Sequence, residues 1–193
     1  MKIVLASKSP RRRELLSILG KEMGFEFEVL TVDTDEDYDP AVCPRDATEL
    51  LAVRKGRAVA DLVGPERLVI SSDTLVELDG VPLGKPIDEA DAVRMLRSLS
   101  GRGHNVHTGI AVHFGGRVIS AVASTAVFFR DISEQEIREY VLGGEPMDKA
   151  GAYGIQGEAG RFVKGYDGEF DTVVGFNLTT ARGLITEALA NNG

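Results

Sequence analysis

The chain has 193 residues, of which 43% are hydrophobic, so it can form one globular domain, or a domain with two lobes, around a sizeable core. Its formal net charge of -8 argues against a general nucleic-acid or anionic-membrane surface, because such surfaces carry excess basic charge. A single cysteine, Cys43, excludes an internal disulfide and a zinc site built from several cysteines. No segment is apolar enough to span a bilayer, and no signal-like run follows Met1, so we expect a cytoplasmic protein.

A short apolar run, Ile3 to Leu5, is followed by small residues and then by a helical pattern. Ser9 is a good N-cap and Pro10 suits the first helical position, so the sequence predicts a strand, a tight loop and a helix. Such a helix start favours anionic ligands, because it carries partial positive charge and backbone donors. Arg11 and Arg12 lie at the edges of the apolar stripe, where a guanidinium can reach a bound anion. An amphipathic helix with a basic solvent face is an equally good interpretation.

Carboxylates are crowded within residues 32–37, after a predicted strand from Phe25 to Leu30. Oxygen-rich clusters of this kind suit Mg²⁺ or Mn²⁺, although a solvated acidic loop explains most of the residues. The next helix is predicted to begin around Asp46 to Glu49 and to reach about Leu62. Lys55 falls inside its apolar stripe, where the ammonium either finds an anion or extends past the edge of the stripe to water.

The apolar run from Leu68 to Ile70 ends in polar residues that include Asp73 and Thr74. In α/β sheets, ligands gather beyond the carboxyl ends of strands, so Asp73 is placed where a metal-binding or water-activating carboxylate is useful. A single aspartate after a strand is also a common turn or cap residue, and the sequence alone leaves both interpretations open.

The rest of the chain predicts strands interleaved with helices and hairpins, which favours a mixed α/β sheet. The predicted elements are a hairpin from Leu75 to Leu83, a helix from Asp88 to near Ser98, strands over 105–114 and 117–129, a helix from Ser133 to about Leu142, a final hairpin over 161–175 and a closing helix from Leu178 to Leu189. His104 and His107 are three residues apart in one strand and point to opposite faces, which argues against a shared metal ion. No linker or repeat interrupts residues 1–193, which we predict to be one domain.

Several motifs resemble those of one family in the same order along the chain. Residues Leu5 to Leu16 read LASKSPRRRELL, which resembles the N-terminal signature of the Maf family, also called septum-formation-protein-like proteins. The Ser-Asp-Thr around Asp73, the Gly-Lys-Pro around Lys85 and the glycine-rich stretch, Glu145 to Gly157, match as well. The sequence departs from the family pattern at residues 175–177, Gly-Phe-Asn, where members commonly carry Gly-Leu-Pro.

The resemblance implies a nucleoside triphosphate pyrophosphatase with a Maf/ITPase-like fold, in which helices flank a mixed central sheet and a cleft separates two lobes. Such enzymes hydrolyse a nucleoside triphosphate between the α and β phosphates, and they are often homodimers. The Thr after Asp73 marks the branch that acts on dTTP and UTP, with modified pyrimidine nucleotides as further substrates. The implied role is house-cleaning of the nucleotide pool, without nucleic-acid or membrane partners.

The same resemblance implies a role for each matching residue. Catalytic roles fall on Glu36, Lys55, Asp73 and Lys85, and the two carboxylates also bind a Mg²⁺ or Mn²⁺ cofactor. Substrate binding falls on Ser7 and Arg12, and recognition of the base on Arg11, Thr74 and Gln156. The amide of Gln156 suits a pyrimidine edge because it both donates and accepts hydrogen bonds.

Two other functions stay open at this point. The older family name suggests a nucleotide-binding regulator of septum formation or cell division that does not catalyse hydrolysis. The other is a 7-methyl-GTP pyrophosphatase of the same fold, against which the pair Asp73 and Thr74 argues within the family.

Overall fold

A computed structural model describes residues 2–190 of the chain. The strands are β1 (Ile3–Leu5), β2 (Phe27–Val29), β3 (Leu68–Leu78), β4 (Val81–Leu83), β5 (Gly103–Phe114), β6 (Arg117–Phe129) and β7 (Val163–Asp167). The helices are α1 (Pro10–Met23), α2 (Pro44–Val63), α3 (Glu89–Leu99), α4 (Glu134–Leu142), α5 (Phe170–Val174) and α6 (Leu178–Ala190). Short 3₁₀ helices cover Glu145–Asp148, Ala150–Ala152 and Glu158–Phe162. Within residues 2–190, no helix combines the length and the apolar character that crossing a membrane requires.

The strands form one mixed sheet in the order β2-β1-β3-β5-β6-β7, with β4 paired to β3. β1 runs parallel to both neighbours, so that Ile3 lies opposite Phe27 on one side and Leu68 on the other. β4 and β7 run antiparallel to β3 and β6, respectively. The predicted mixed α/β sheet is therefore confirmed.

The contacts within the chain divide it into two compact units. The first lies within Met1–Asp73, Thr108–Ala123 and Gly175–Gly193, and the second comprises Thr74–His107 and Ser124–Val174. The boundary on β3 falls between Asp73 and Thr74, so each unit contains some of the predicted site residues.

In the first unit, apolar clusters cover both faces of β1. Ile3 belongs to a buried cluster with Leu16 of α1 and Ile185 of α6. Its neighbour Val4 belongs to a different cluster, with Val59 of α2, because successive strand residues point to opposite faces. Each of these buried side chains contributes about 1.5–3 kcal/mol of hydrophobic free energy, which fixes α1 and α2 on opposite faces of the strand.

In the second unit, one core joins α3 and α4 to the sheet. Leu96 of α3, Tyr140 of α4 and Phe129 of β6 belong to the same buried cluster. The Tyr140 ring meets Phe162 edge to face, with centroids 5.4 Å apart. The predicted start of α4 is confirmed, because the Ser133 hydroxyl accepts from a backbone N–H in a capping box.

Several predicted element boundaries differ from those observed. Asp73, predicted to follow the end of a strand, lies inside β3, which continues from Leu68 to Leu78. β5 begins at Gly103 rather than at residue 105. α2 begins at Pro44 rather than at Asp46, since proline fits a helix start that needs no N–H there. Cys43 is its N-cap and makes no side-chain hydrogen bond to the helix. The predicted strand over residues 25–30 is confirmed only at Phe27–Val29, which pairs with β1.

The predicted final hairpin over residues 161–175 is wrong. Val163–Asp167 is a strand, but it pairs with β6, and Phe170–Val174 is a short helix instead of a returning strand. The Thr125 hydroxyl, in β6, donates to the Glu169 carbonyl oxygen at 2.9 Å and accepts from the Glu169 N–H at 3.0 Å. β6 thus supplies the partner for β7 and also holds the turn that follows it.

The departure from the family pattern at residues 175–177 has a local structural role. Phe176 is fully buried in the core of the first unit. The Asn177 side-chain oxygen accepts from the Thr180 N–H at 2.8 Å, as an N-cap residue does. Asn177 therefore caps the start of α6.

Candidate active site in the first unit

Asp73, in β3, binds the ammonium group of Lys55. Lys55 Nζ, from α2, donates to Asp73 Oδ1 at 2.5 Å, and the exposed fractions of the two side chains are only 19% and 9%. The low exposure strengthens the attraction, because little water screens the two charges. Of the two interpretations of Lys55 that the sequence left open, the structure therefore shows the one in which its ammonium binds an anion, Asp73.

The same ammonium also binds Glu36. Lys55 Nζ lies 2.7 Å from Glu36 Oε1, and the Glu36 side chain is 57% exposed. Glu36 belongs to the acidic loop, defined here as residues 30–43, which contains neither helix nor strand. One lysine therefore lies between two carboxylates, one nearly buried and one accessible.

Arg12 supports this arrangement from α1. Its Nε donates to the Gly175 carbonyl oxygen and its Nη1 to that of Ser72, each at 2.8 Å. Burial lowers the pKa of Arg12, the charges of Asp73 and Glu36 oppose that change, and the charge of Arg11 adds to it. The guanidinium thus lies within electrostatic range of both carboxylates and fixes the backbone beside Asp73.

The loop before α1 is held by two of its own serines, of which the sequence predicted the role of Ser9. The buried Ser7 accepts from the Ser9 N–H at 3.2 Å, and Ser9 in turn accepts from the Arg12 N–H at 3.4 Å. Ser9 is the N-cap and Pro10 the first helical residue, which confirms that prediction. These two bonds therefore hold the first turn of α1, which carries Arg12.

Two residues near these carboxylates escaped the sequence analysis. Burial and the negative charge of Asp73 raise the pKa of the Tyr38 phenol. Arg54 Nη1, on α2, donates to the carbonyl oxygens of Asp35 at 2.9 Å and Asp37 at 2.6 Å. Neither contact has a local signal, because each depends on how the acidic loop folds over α2.

Of the remaining predicted residues, Arg11 lies beside Arg12 on α1 in the first unit, whereas Thr74, Lys85 and Gln156 belong to the second. Thr74 follows Asp73 in β3, and strand alternation turns its side chain to the opposite face. Lys85 is exposed in the loop after β4, and that loop is tied to the glycine-rich stretch by a 3.0 Å bond from the Gly151 N–H to the Gly84 carbonyl. The structure therefore brings Lys85 and the glycine-rich stretch together within one unit.

Gln156 is exposed at the tip of a turn in the glycine-rich stretch. The Gly157 N–H closes this turn on the Gly154 carbonyl oxygen at 3.0 Å. Glu145 supports the turn from behind, accepting from the Glu158 N–H and the Tyr140 hydroxyl at 3.0 Å each. A Cβ atom at Gly157 would lie within 2.6 Å of the Glu145 carboxylate, so a side chain there would displace the group that supports the turn.

The histidines of β5 bind protein groups rather than one another. His107 hydrogen-bonds to Ser124 Oγ at 2.7 Å and to Glu77 Oε2 at 2.9 Å. His104 Nε2 lies 2.8 Å from the Tyr153 hydroxyl. Among residues 2–190, no group of three or more His, Cys, Asp or Glu side chains is arranged to hold a metal ion.

Asp73 and Glu36 nevertheless fit a hard divalent cation. Both direct an oxygen at one positive group, Lys55 Nζ, so together they already form a site for positive charge. Mg²⁺ commonly binds through one or two carboxylates and completes its coordination with water and substrate phosphates. The donor set is therefore that of a metal shared between protein and substrate, rather than of a cage formed by protein alone.

Comparison with known proteins assigns the family. Residues 2–188 match the family described as Maf-like protein. The chain is 49% identical over 177 residues to a dTTP/UTP pyrophosphatase of Vibrio cholerae, covering 92% of each chain, and 47% identical over 178 residues to one of Pelotomaculum thermopropionicum, covering 91% of each. The Ham1 protein of Staphylococcus aureus has a similar fold, with a TM-score of 0.55 over the whole of both chains at 16% identity. The chain therefore belongs to the Maf family.

Proposed function

We propose that the protein is a nucleoside triphosphate pyrophosphatase that hydrolyses dTTP and UTP to the monophosphate and pyrophosphate. The observation that carries this proposal is the Lys55 ammonium held between Asp73 and Glu36 at 2.5 and 2.7 Å. The names of relatives that are 47% and 49% identical over nine-tenths of the chain support the same substrates. Removing non-standard pyrimidine nucleotides from the pool is the role that follows from this chemistry.

In the proposed mechanism, Asp73 orients the attacking water and accepts its proton. The water oxygen bonds to phosphorus, the anhydride bond between the α and β phosphates breaks, and pyrophosphate leaves with the electron pair. Lys55 holds the Asp73 carboxylate in place through its hydrogen bond and offsets negative charge that develops on the phosphates. Its low exposure strengthens that electrostatic effect.

Glu36 and Asp73 are the proposed metal-binding residues. A bound Mg²⁺ or Mn²⁺ would supply positive charge to the polyphosphate and lower the pKa of a coordinated water. The exposed Glu36 side chain is suited to a ligand shared with substrate, because it is accessible from solvent. Asp73 is then both a ligand and the group that receives the proton.

Further residues are proposed to bind the two ends of the nucleotide. Ser7, Arg12 and Lys85 would bind the triphosphate, and Arg11, Thr74 and Gln156 would recognise the base. Lys85 and Gln156 are exposed, so their side chains are accessible to a ligand. A homodimer remains a prediction from the family resemblance, and a cytoplasmic location remains a prediction from the sequence.

The test is product analysis on a panel of nucleotides. Purified protein is incubated with Mg²⁺ or Mn²⁺ and with dTTP, UTP, CTP, modified pyrimidine triphosphates or 7-methyl-GTP, and both products are measured. We expect pyrophosphate and monophosphate in equal amounts, fastest from dTTP and UTP and only with metal present. Preference for 7-methyl-GTP would assign the other branch, and tight nucleotide binding without turnover would support the regulator instead.

A further inference from the structure

We propose that Arg54 is a positioning residue that holds Glu36 against Lys55 by clamping the acidic loop onto α2. This inference rests on the proposed function, because it concerns a carboxylate of the same site. Arg54 immediately precedes Lys55 in the middle of α2, so the two side chains leave the helix about 100° apart and can reach different groups of the loop. Lys55 binds the side chain of Glu36, and Arg54 binds the backbone on either side of it.

The hydrogen bonds of Arg54 lie on both sides of Glu36 in the sequence. Arg54 Nη1 donates to the carbonyl oxygens of Asp35 and Asp37 at 2.9 and 2.6 Å, which are the residues directly before and after Glu36. A second bond closes the same turn, from the Asp37 N–H to Asp35 Oδ1 at 2.8 Å. Together these bonds determine the direction in which the Glu36 side chain leaves the backbone.

The loop is also held by the Lys8–Asp33 ion pair at 2.8 Å and by a bond from the Leu30 N–H to the Leu5 carbonyl oxygen at 3.1 Å, but neither contact involves residues 35–37. Residues 30–43 form no helix or strand, and their crowded carboxylates repel one another. A guanidinium suits the task because one of its nitrogens carries two protons in a rigid plane, one for each carbonyl, and its charge offsets the repulsion. A lysine could approach the same carbonyls only with a flexible side chain.

The proposal predicts a specific loss of catalysis in Arg54→Met, which keeps the bulk of the side chain and removes its donors. We expect kcat/KM for dTTP to fall about tenfold, mainly through kcat, because Glu36 would no longer be held in place. Arg54→Lys should recover part of that loss. Arg57→Met is the matched control, since it removes the same charge from an exposed position one turn later on α2 and should change kcat/KM less than about twofold.

A double-mutant cycle separates positioning from general damage. If Arg54 acts through Glu36, then Arg54→Met should lower activity less than about twofold once Glu36→Gln is present. Equal losses from Arg54→Met in both backgrounds would overturn the proposal. Equal activity of Arg54→Met and Arg57→Met would overturn it as well.

Hydrogen exchange provides a readout that does not need turnover. We expect the amides of residues 33–39 to exchange faster in Arg54→Met than in the wild type, and to be unchanged in Arg57→Met. Unchanged exchange in both variants would contradict the clamp. A wild type with no pyrophosphatase activity would contradict the proposed function alone, and faster exchange in Arg54→Met would then still support the clamp.

Discussion

Two irregular segments carry predicted site residues, and they are held in different ways. The acidic loop is fixed to α2 by charge, through Lys55 on the Glu36 side chain and Arg54 on the neighbouring carbonyls. The glycine-rich stretch is fixed by backbone hydrogen bonds, by the Glu145 carboxylate and by a left-handed backbone conformation at Gly151 that glycine favours. The first segment should therefore respond most to changes of charge, and the second to changes of backbone conformation.

The two units also differ in how their predicted site residues are held. The charged cluster in the first unit contains groups able to activate water, whereas Lys85 and Gln156 in the second unit are exposed groups on a supported backbone. Proton transfer depends on an accurately oriented base, while recognition of a base edge requires only a donor and an acceptor at the correct positions. Substitutions that remove a charge and substitutions that change the backbone should therefore have different effects in the two units.

Removing the shared cation should have the largest effect. We expect Lys55→Met to lower kcat/KM for dTTP by about 1,000-fold, because Asp73 loses its orienting partner and the phosphates lose a positive charge. Lys21→Met, at an exposed position of α1, is the control for the change in net charge. A loss below about tenfold in Lys55→Met would exclude Lys55 from the chemistry.

Acid should weaken the core of the second unit through His104. Burial lowers the pKa of His104 to about 4, whereas an unfolded histidine titrates near 6.5. Between these values the unfolded chain binds more protons, so the free energy of unfolding should fall as the pH drops from about 6.5 to 4, by up to about 3 kcal/mol. Above the pKa of histidine in the unfolded chain, the neutral His104 ring makes its full contribution to the free energy of unfolding.

Two measurements check this prediction. Denaturant unfolding between pH 7 and 4 should show a smaller pH-dependent loss in His104→Phe than in the wild type, since the variant has no titrating group at that position. Nuclear magnetic resonance should place the midpoint of the His104 titration near 4 in the folded protein. A midpoint near 6.5 would show that burial does not disfavour the charged ring.

A smaller effect should follow from replacing glycine in the glycine-rich stretch. Gly151 has φ +68° and lies against the Val76 side chain, so Gly151→Ala should lower the free energy of unfolding by about 1–2 kcal/mol. Gly165→Ala is the control in the same unit, because a Cβ there meets no atom within 4 Å. Denaturant titration measures both, and equal stability of the two variants would contradict the assigned role of the backbone at Gly151.

Local signals predicted the parts of the site that depend on neighbouring residues. Ser9 and Pro10 marked the start of α1, and the helical period placed Lys55 in an apolar stripe where its ammonium needed an anion. The mixed sheet followed from the alternation of strands, helices and hairpins. In each case, residues close in sequence determine the structural outcome.

Long-range pairing determined the features that the sequence did not reveal. The predicted final hairpin failed because β7 pairs with β6, a choice that depends on the whole sheet. The roles of Arg54 and Tyr38 depend on how the acidic loop folds, and no period or cap marks that conformation.

The role of Asp73 as the group that accepts the proton is tested most sharply by comparing it with a second aspartate. Pyrophosphate release from dTTP is measured for Asp73→Asn and for Asp61→Asn, which makes the same change of charge at an exposed position of α2. If Asp73 receives the proton of the attacking water, Asp73→Asn abolishes release and remains folded by circular dichroism, while Asp61→Asn hydrolyses dTTP at the wild-type rate. Undiminished pyrophosphate release by Asp73→Asn would show that Asp73 does not receive the proton.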